Sequence, residues 1–324
     1  MREYAIQISA AFFAGVILDC FFADPPEFPH SINLIGNSIK RFEKFIRKIL
    51  PDTPKSKRTG GLITAIVICL FSAVIPAAIL ICSYKLNRYF CIVVHSLMMW
   101  QIVAAKSLMK ESKKVYCKIK DDDLEGARNA LSMIVGRNTE ELTQEGVIRA
   151  AVETVAENTS DGVTAPMLFF FAGGAPFAYL YKAINTMDSL LGYKNEKYVD
   201  FGRFPAKLDD LANFIPSRLT ALSMIAASWF LGYDAKNALK IFRRDRLKHA
   251  SPNSAQTESV CAGALDVRLA GDIKYFGVLH KKDYIGDPLR EIEPCDILKS
   301  HKLMYGSAAV FTVLFCVIWA VIIF

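Results

Sequence analysis

Three carboxylates lie close together in the segment RAAVETVAENTSDG, residues 149–162. Glu153 and Glu157 are four residues apart and therefore share one face of a helix, and Asp161 follows a predicted turn at residues 158–160. Carboxylate, amide and hydroxyl oxygens are the donors that a hard cation takes, and Mg²⁺ commonly uses one or two carboxylates together with substrate phosphates. The spacing therefore indicates a magnesium site.

The same residues also have a purely structural interpretation. Glu153 could form an ion pair with Arg149 one helical turn earlier, and Asn158 to Asp161 could cap the next helix. For Glu153 the two interpretations are equally good. An apolar run starts directly after Asp161, and polar groups at the threshold of a membrane segment favour function for Glu157, Asn158 and Asp161.

A second polar group, in residues 181–218, separates two apolar segments. Asp209, Asp210 and Arg218 crowd against Pro216 and an apolar run, so a solvated helical face explains them poorly. We therefore treat them as candidate site residues.

The third polar group, in residues 243–272, begins with Arg243, Arg244 and Arg246. Clustered guanidinium groups can make bidentate contacts to phosphate or carboxylate, although a charged patch on the membrane surface explains them equally well. The SPNS turn at residues 251–254 could present backbone amides to an anion.

The composition shows what kind of protein must position these groups. Of the 324 residues, 52% are hydrophobic and only 22% are charged, which is high apolar content for a soluble protein and favours a membrane protein. The net charge of +7 could suit nucleic acid, but basic residues beside apolar spans are typical of cytoplasmic loops, so we expect no nucleic-acid partner. Eight cysteines without a C-x-x-C pair predict neither a disulfide framework nor a zinc site.

The apolar segments predict an all-α, polytopic membrane protein with one domain over residues 1–324. About 20 apolar residues cross a bilayer, and four stretches meet that need: residues 5–22, 61–82, 89–105 and 306–324. Segments 163–183 and 214–232 are apolar but interrupted by Pro or Gly. The remaining chain is predicted to be helical, notably 121–135 and 142–157, with a linker at 51–61.

Loop charges predict the orientation. Loops 23–60, 106–162 and 233–305 are rich in Lys and Arg and are expected in the cytoplasm. Residues 163–232 must then cross the membrane twice or not at all. We favour no crossing, with both broken segments re-entrant or buried, because every polar motif then shares one compartment. The protein would be a multi-pass protein of the cytoplasmic membrane whose active site faces the cytoplasm.

Five sequence blocks, in the same order from about residue 15 to 290, resemble the adenosylcobinamide-phosphate synthases of cobalamin biosynthesis. They are DPP followed by PH and LIG, RAAVETVAENTSDGVTAP, YKAINTMDSLLGYKNEKY, FGRFPAKLDDLANFIPSRLTA, and SPNS followed by AGAL and VRL. The resemblance implies an ATP- and Mg²⁺-dependent ligase that joins the free propionate of adenosylcobyric acid to the amine of aminopropanol or its phosphate. It also implies a corrinoid substrate, the lipid bilayer and other cobalamin-assembly enzymes as partners.

Amide formation needs an electrophilic carboxyl group, most simply an acyl phosphate made from ATP, and an uncharged amine. Glu157 and Asp161, with Asp209 or Asp210, are expected to hold Mg²⁺ on the ATP phosphates, and Glu153 is the weaker candidate for general base. Further candidates would neutralise phosphate charge (Lys194, Arg203, Arg218, Arg268), present the SPNS turn (Asn253) or orient corrinoid amides (Asn158, Asn185, Asn213).

The chain departs from the usual family pattern at a few positions. Ser31 stands where Pro is usual, Asn138 where Asp is usual, and Ala255, Asp266 and Ala270 where Gly is usual. Where glycine is replaced, the added side chain limits how closely the backbone can approach a ligand.

The alternative function is a secondary transporter with its site at the broken apolar segments. The sequence has only four uninterrupted apolar spans but long polar loops. This proportion favours a membrane-bound enzyme.

Overall fold

A computed structural model describes residues 2–23, 30–271, 273–275, 278–280 and 283–323. The chain divides into two compact units, which we describe separately: unit 1 comprises Met1–Ala104 and Ala165–Asn213, and unit 2 comprises Ala105–Thr164 and Phe214–Ile322. A single domain over the whole chain stays a prediction. The first part of the DPP…PH block, residues 24–29, lies outside the described residues.

In its described part, unit 1 is built from helices, with α8 packed against α1, α2, α3, α4 and α9. Its buried core includes Phe12, Phe170 and Tyr181. The helices are α1 (Arg2–Phe21), α2 (Ser31–Ile49), α3 (Pro54–Leu86), α4 (Arg88–Ile102), α8 (Ala165–Leu191) and α9 (Arg203–Ala212).

Unit 2 has a core of small and branched apolar residues between α7, α10, α11 and α12. Close packing of α11 on α12 depends on Gly263, because a Cβ there would lie 2.7 Å from the backbone of Ala238. The helices are α5 (Ala105–Lys120), α6 (Leu124–Ser132), α7 (Gln144–Asn158), α10 (Phe214–Phe230), α11 (Ala235–Asp245), α12 (Ser254–Leu265) and α13 (Cys295–Ile323).

In the part of unit 2 that the structure describes, four very short strands form two antiparallel pairs. β1 (Leu269–Ala270) pairs with β4 (Tyr284–Ile285), and β2 (Ile273–Tyr275) pairs with β3 (Val278–His280). The prediction of an all-α fold is confirmed, since helices make up the rest of the regular structure that is described.

The predicted linker at residues 51–61 is wrong beyond its first three residues. Helix α3 already begins at Pro54, because the Thr53 hydroxyl accepts a hydrogen bond from the Ser56 N–H and proline suits the first helical position. Gly61 lies inside this helix, at the point where the helix contacts the backbone of Phe201. Tertiary packing therefore explains why glycine is present here, although glycine is also typical of loops.

The predicted turn at residues 158–160 is also wrong. Residues Thr159–Thr164 form a π-helical turn, and α8 begins directly after it. Two threonine hydroxyls bond to main-chain oxygens here, from Thr159 to Val155 (2.7 Å) and from Thr164 to Thr159 (3.1 Å). Such side-chain bonds compete with the regular ladder, and π-helical turns are frequent at functional sites.

The predicted break of the first interrupted segment occurs at Gly173 and Gly174. Gly174 has φ +69°, a left-handed conformation that glycine adopts without strain. The freed backbone N–H of Ala175 donates to Nε2 of His95 on α4 (2.8 Å). Pro166 and Pro216 break nothing, because each lies in the first turn of its helix, where a missing N–H is harmless.

Within the described ranges, four helical stretches are long and apolar enough to cross a membrane by length and composition: Pro54–Leu86, Arg88–Lys120, Gln144–Leu191 and Cys295–Ala320. Predicted spans 61–82, 89–105 and 306–324 overlap three of them, whereas residues 5–22 appear as a shorter apolar helix, Ile6–Phe21. In an apolar 18-residue window of the stretch with the glycine break, 61% is buried, against 17% in the window of the first stretch, which favours enclosure by protein. Whether it crosses stays a prediction.

Candidate functional site

In unit 2, the carboxylate of Glu157 meets the SPNS motif. Glu157 lies in the last turn of α7, and its Oε1 accepts a hydrogen bond of 2.7 Å from the hydroxyl of Ser254, the first residue of α12. Two motifs that are 97 residues apart in the chain are thus in direct contact. Asp161 lies in the π-helical turn and is partly exposed.

Arg218 and Asn253 form a second contact between predicted site residues of unit 2. The Arg218 guanidinium donates to Asn253 Oδ1 (3.1 Å) and to the Phe214 main-chain oxygen (2.6 Å), and it lies 3.6 Å from the centre of the Phe214 ring. Protein groups therefore surround the Arg218 guanidinium. These contacts replace the water that a cation lacks beside an apolar run. Asn253 is buried and also accepts from the Ser217 hydroxyl (3.3 Å).

Both carboxylate oxygens of Glu153 accept hydrogen bonds, but not from Arg149, the partner in the purely structural interpretation. Its Oε2 accepts from Arg137 (2.6 Å) and its Oε1 from the backbone N–H of Ala270 (2.7 Å), while Arg149 pairs with Glu145. The two carboxylate oxygens of Glu153 thus connect α7 to two other elements. Oε2 binds the loop after α6, and Oε1 binds β1. This arrangement favours a positioning role over general base.

The arginine run at 243–246 takes part in an ion-pair network of unit 2 that is centred on the buried carboxylate of Asp245. Arg244 donates to both carboxylate oxygens of Asp245 and of Asp287, at 2.8–3.0 Å. Burial would raise the pKa of Asp245, but hydrogen bonds from Arg244, Lys248 and the Gly286 N–H hold it below its ordinary value. Arg244 therefore binds two carboxylates of its own chain.

Unit 1 contains a hydrogen-bonded cluster around Asp209. The carboxylate accepts from the side-chain amides of Asn213 (3.0 Å) and Asn185 (3.4 Å), and the Tyr181 hydroxyl donates to Asn213 Oδ1 (2.7 Å). Asp209, Asn213 and Tyr181 are all buried, and so is Lys182 in the same stretch of α8. The structure thus brings three predicted residues into one hydrogen-bonded group.

Other predicted residues are not part of these clusters. Lys194 and Arg203 are exposed, and within the described chain neither makes a hydrogen bond or ion pair. Asp210 is partly exposed. Arg268 stacks over the Tyr284 ring at 4.0 Å. Asn158 donates to the Thr154 main-chain oxygen (3.0 Å), which fixes its amide on α7.

The donors of the unit 2 cluster fit Mg²⁺ in chemistry. Among the described residues no three His, Cys, Asp or Glu side chains are grouped for a metal, but Mg²⁺ bound to substrate phosphates needs only one or two carboxylates. Glu157 and Asp161 would supply these, and their part in metal binding stays a prediction. The Ser160 hydroxyl between them is 2% exposed and has no hydrogen-bond partner in the described chain, so it too is a hard oxygen donor available to an ion, its water or a substrate. Asp209 and Asp210 belong to unit 1, and their part in metal binding stays a prediction.

Sequence reasoning missed three residues of these clusters: Arg137, Tyr181 and Ser254. Ser254 and Tyr181 lie inside the quoted motifs, so a systematic search for hydroxyl donors could have found them. Arg137 gave no local signal, because it meets Glu153 across 16 residues and a loop.

Two departures from the family pattern lie in left-handed backbone. Asp266 (φ +57°) and Ala270 (φ +58°) both occupy positions where glycine is usual, and glycine adopts this conformation without strain. Asp266 gains a hydrogen bond in return, because Asn237 donates to its Oδ1 (2.8 Å). Of the other departures, Ala255 is buried in α12, Asn138 is exposed and Ser31 begins α2.

Ala270→Gly is therefore expected to stabilise the protein by about 0.5–1 kcal/mol, because relief of left-handed strain exceeds the added entropy of the unfolded chain. The N–H that donates to Glu153 is kept. Thermal unfolding in detergent measures the change. Asp266→Gly is the matched control and should gain less, since it loses the bond from Asn237; equal gains would contradict this account.

Comparison with known proteins identifies the family. The family model described as CobD/Cbib protein matches residues 12–304. The chain belongs to the CobD/CbiB family. It is 44% identical over 290 residues to the cobalamin biosynthesis protein CobD of Clostridium perfringens, covering 90% of this chain and 91% of that one. It is 42% identical over 316 residues to the protein of the same name from Geobacter metallireducens, covering 98% of both chains.

Membership of the CobD/CbiB family places the chain among proteins of cobalamin biosynthesis and confirms the resemblance drawn from the motifs. No solved structure matches the chain.

Proposed function

We propose that this protein is an ATP- and Mg²⁺-dependent amide ligase that joins adenosylcobyric acid to aminopropanol or aminopropanol phosphate. The observation that carries the proposal is the contact between Glu157 and Ser254, which unites the AENTSDG and SPNS motifs in one polar cluster. Family membership supplies the corrinoid context. This context favours the enzyme over a transporter.

In unit 2, Glu157 and Asp161 would hold Mg²⁺, which supplies charge neutralisation for the phosphates of ATP. Arg218 and Asn253 would contact phosphate oxygens, and their mutual hydrogen bond keeps the guanidinium in place. Ser254 orients Glu157 by donating to one of its oxygens, which leaves the other oxygen for the metal.

In unit 1, the geometry refines the proposed roles of two asparagines. Both ends of the Asn213 amide are occupied, one by Tyr181 and one by Asp209, so Asn213 positions Asp209 rather than the corrinoid. Asn185 is partly exposed and is the better candidate for a corrinoid amide. Lys194 and Arg203 are exposed and would serve as charges that attract anionic substrates.

The test uses purified full-length protein in detergent, given adenosylcobyric acid, ATP, Mg²⁺ and either aminopropanol or its phosphate. We expect the amide product by mass spectrometry in one or both amine arms, with none when ATP is omitted or Mg²⁺ is chelated. Product without ATP would overturn the proposed energy source, and transport of a corrinoid into vesicles without amide formation would favour the transporter.

We further propose that the protein resides in the cytoplasmic membrane with both clusters facing the cytoplasm, since its long loops are basic. Lys194 is exposed and serves as a reporter. Lys194→Cys should resist a membrane-impermeant thiol reagent in intact cells and react after permeabilisation. Reaction from outside would overturn this orientation.

A further inference from the structure

Helix α2 (Ser31–Ile49) presents three chemically distinct faces. One face is buried inside unit 1, where Ile35, Ile39 and Ile46 follow each other at helical spacing and α2 packs against α3 and α8. Glu43 lies on the same face and pairs with Arg47 (2.8 Å). The buried face explains how α2 is anchored, but not why its other faces are apolar and basic.

The second face is apolar and exposed. Leu34, Phe45 and Ile49 are 62%, 55% and 60% exposed. At 3.6 residues per turn they lie within roughly 60° of one another around the helix axis. We call these three residues the apolar stripe. Large apolar side chains aligned in this way indicate a surface that is covered by something other than water.

The third face is basic. Lys40, Arg41, Lys44 and Lys48 are all exposed, and within the described part of the chain none of them makes an ion pair. By helical spacing they flank the apolar stripe on the side away from the buried face. We call these four residues the basic row. Four unpaired cations beside an apolar stripe indicate an anionic, amphipathic partner.

The partner is indicated by the neighbouring helix. Only residues 50–53 separate α2 from α3, a candidate membrane helix of 33 residues. Its length of about 50 Å exceeds the bilayer core of about 30 Å, so part of α3 must project into the membrane surface. The exposed apolar residues of α3 begin at Leu62 and Ile66, after a basic first segment with Lys55, Lys57 and Arg58. α2 therefore joins α3 at the membrane surface.

We propose that α2 lies in the bilayer interface, with the apolar stripe in the headgroup–acyl boundary and the basic row on the headgroups of anionic phospholipids. Both features are those of interfacial helices, in which apolar burial and attraction to anionic lipids act together. A second copy of the chain fits less well, because a two-fold contact through this face would bring eight cations together. The inference does not depend on the proposed reaction.

The first test measures lipid contact in the full-length protein. Exposed Cys20, Cys82 and Cys117 are replaced by alanine, and an environment-sensitive dye is attached at Phe45→Cys or, as the control on the polar side of α2, at Asn37→Cys. In vesicles with spin-labelled lipids, we expect at least about threefold more quenching at position 45 than at 37. Equal, weak quenching at both positions would overturn the proposal. Dye–dye self-quenching at position 45 would also overturn it, and would show that a second copy of the chain covers the apolar stripe instead of lipid.

The second test addresses the charges. The quadruple variant Lys40→Gln, Arg41→Gln, Lys44→Gln and Lys48→Gln should lose the gain in quenching that phosphatidylglycerol gives over pure phosphatidylcholine, as high salt should in the parent protein. A matched variant removes four exposed lysines of α5, which has no exposed large apolar residue: Lys110, Lys113, Lys114 and Lys120. This α5 variant should keep the gain in quenching that phosphatidylglycerol gives. An equal loss in both variants would show that only the net charge of the protein matters, and would overturn the role of α2.

Discussion

Glu157→Gln is expected to lower the rate of amide formation by at least about 100-fold while the protein still inserts and folds. Glutamine has the same shape and keeps an oxygen that can accept the hydrogen bond from Ser254. It lacks the negative charge, which a cation on phosphates requires. The measurement is product formation per folded protein at saturating ATP.

A magnesium titration makes this prediction specific. If Glu157 holds the ion, Glu157→Gln should need more Mg²⁺ for half-maximal activity, and high Mg²⁺ should restore part of the rate. Glu145→Gln is the control on the same helix, because Glu145 is exposed and pairs with Arg149. It should behave like the parent. Full activity of Glu157→Gln at low Mg²⁺ would remove Glu157 from the site.

Features of the fold that depend on neighbouring residues could be predicted from the sequence. The predicted helices at 121–135 and 142–157 correspond to α6 (Leu124–Ser132) and α7 (Gln144–Asn158), because apolar spacing encodes them locally. The break at Gly173 and Gly174 was predicted from the residues themselves, because glycine is a local signal for irregular backbone. The linker at 51–61 was wrong because Phe201, far along the chain, packs against Gly61.

Contacts within the candidate site were harder to predict, since their partners are distant in sequence. The motifs contain Glu157 and Asn253, whose roles stay predictions, but nothing local shows that Ser254 binds Glu157. Glu153 illustrates the same limit: the local partner Arg149 was available one turn away, yet the structure pairs Glu153 with Arg137. A pattern of spacing identifies which residues share a helix face, but not which distant element that face meets.

The second large effect is expected at the buried pair of Glu153 and Arg137. The two side chains are 10% and 11% exposed. Glu153→Gln should lower the free energy of unfolding by about 3–5 kcal/mol, because the guanidinium is left buried without its carboxylate and faces an amide donor. Arg137→Met should cost a similar amount. Denaturant titration in detergent measures both.

The double variant distinguishes a structural pair from a catalytic base. Glu153→Gln combined with Arg137→Met leaves no buried charge at this site, so it should be more stable than the sum of the single changes predicts. The activity per folded molecule decides the role of Glu153. If Glu153 only positions β1 through the N–H of Ala270, folded Glu153→Gln should keep most of its kcat, because glutamine still accepts that bond. A kcat that falls by 100-fold or more in protein shown to be folded would instead restore Glu153 as the general base.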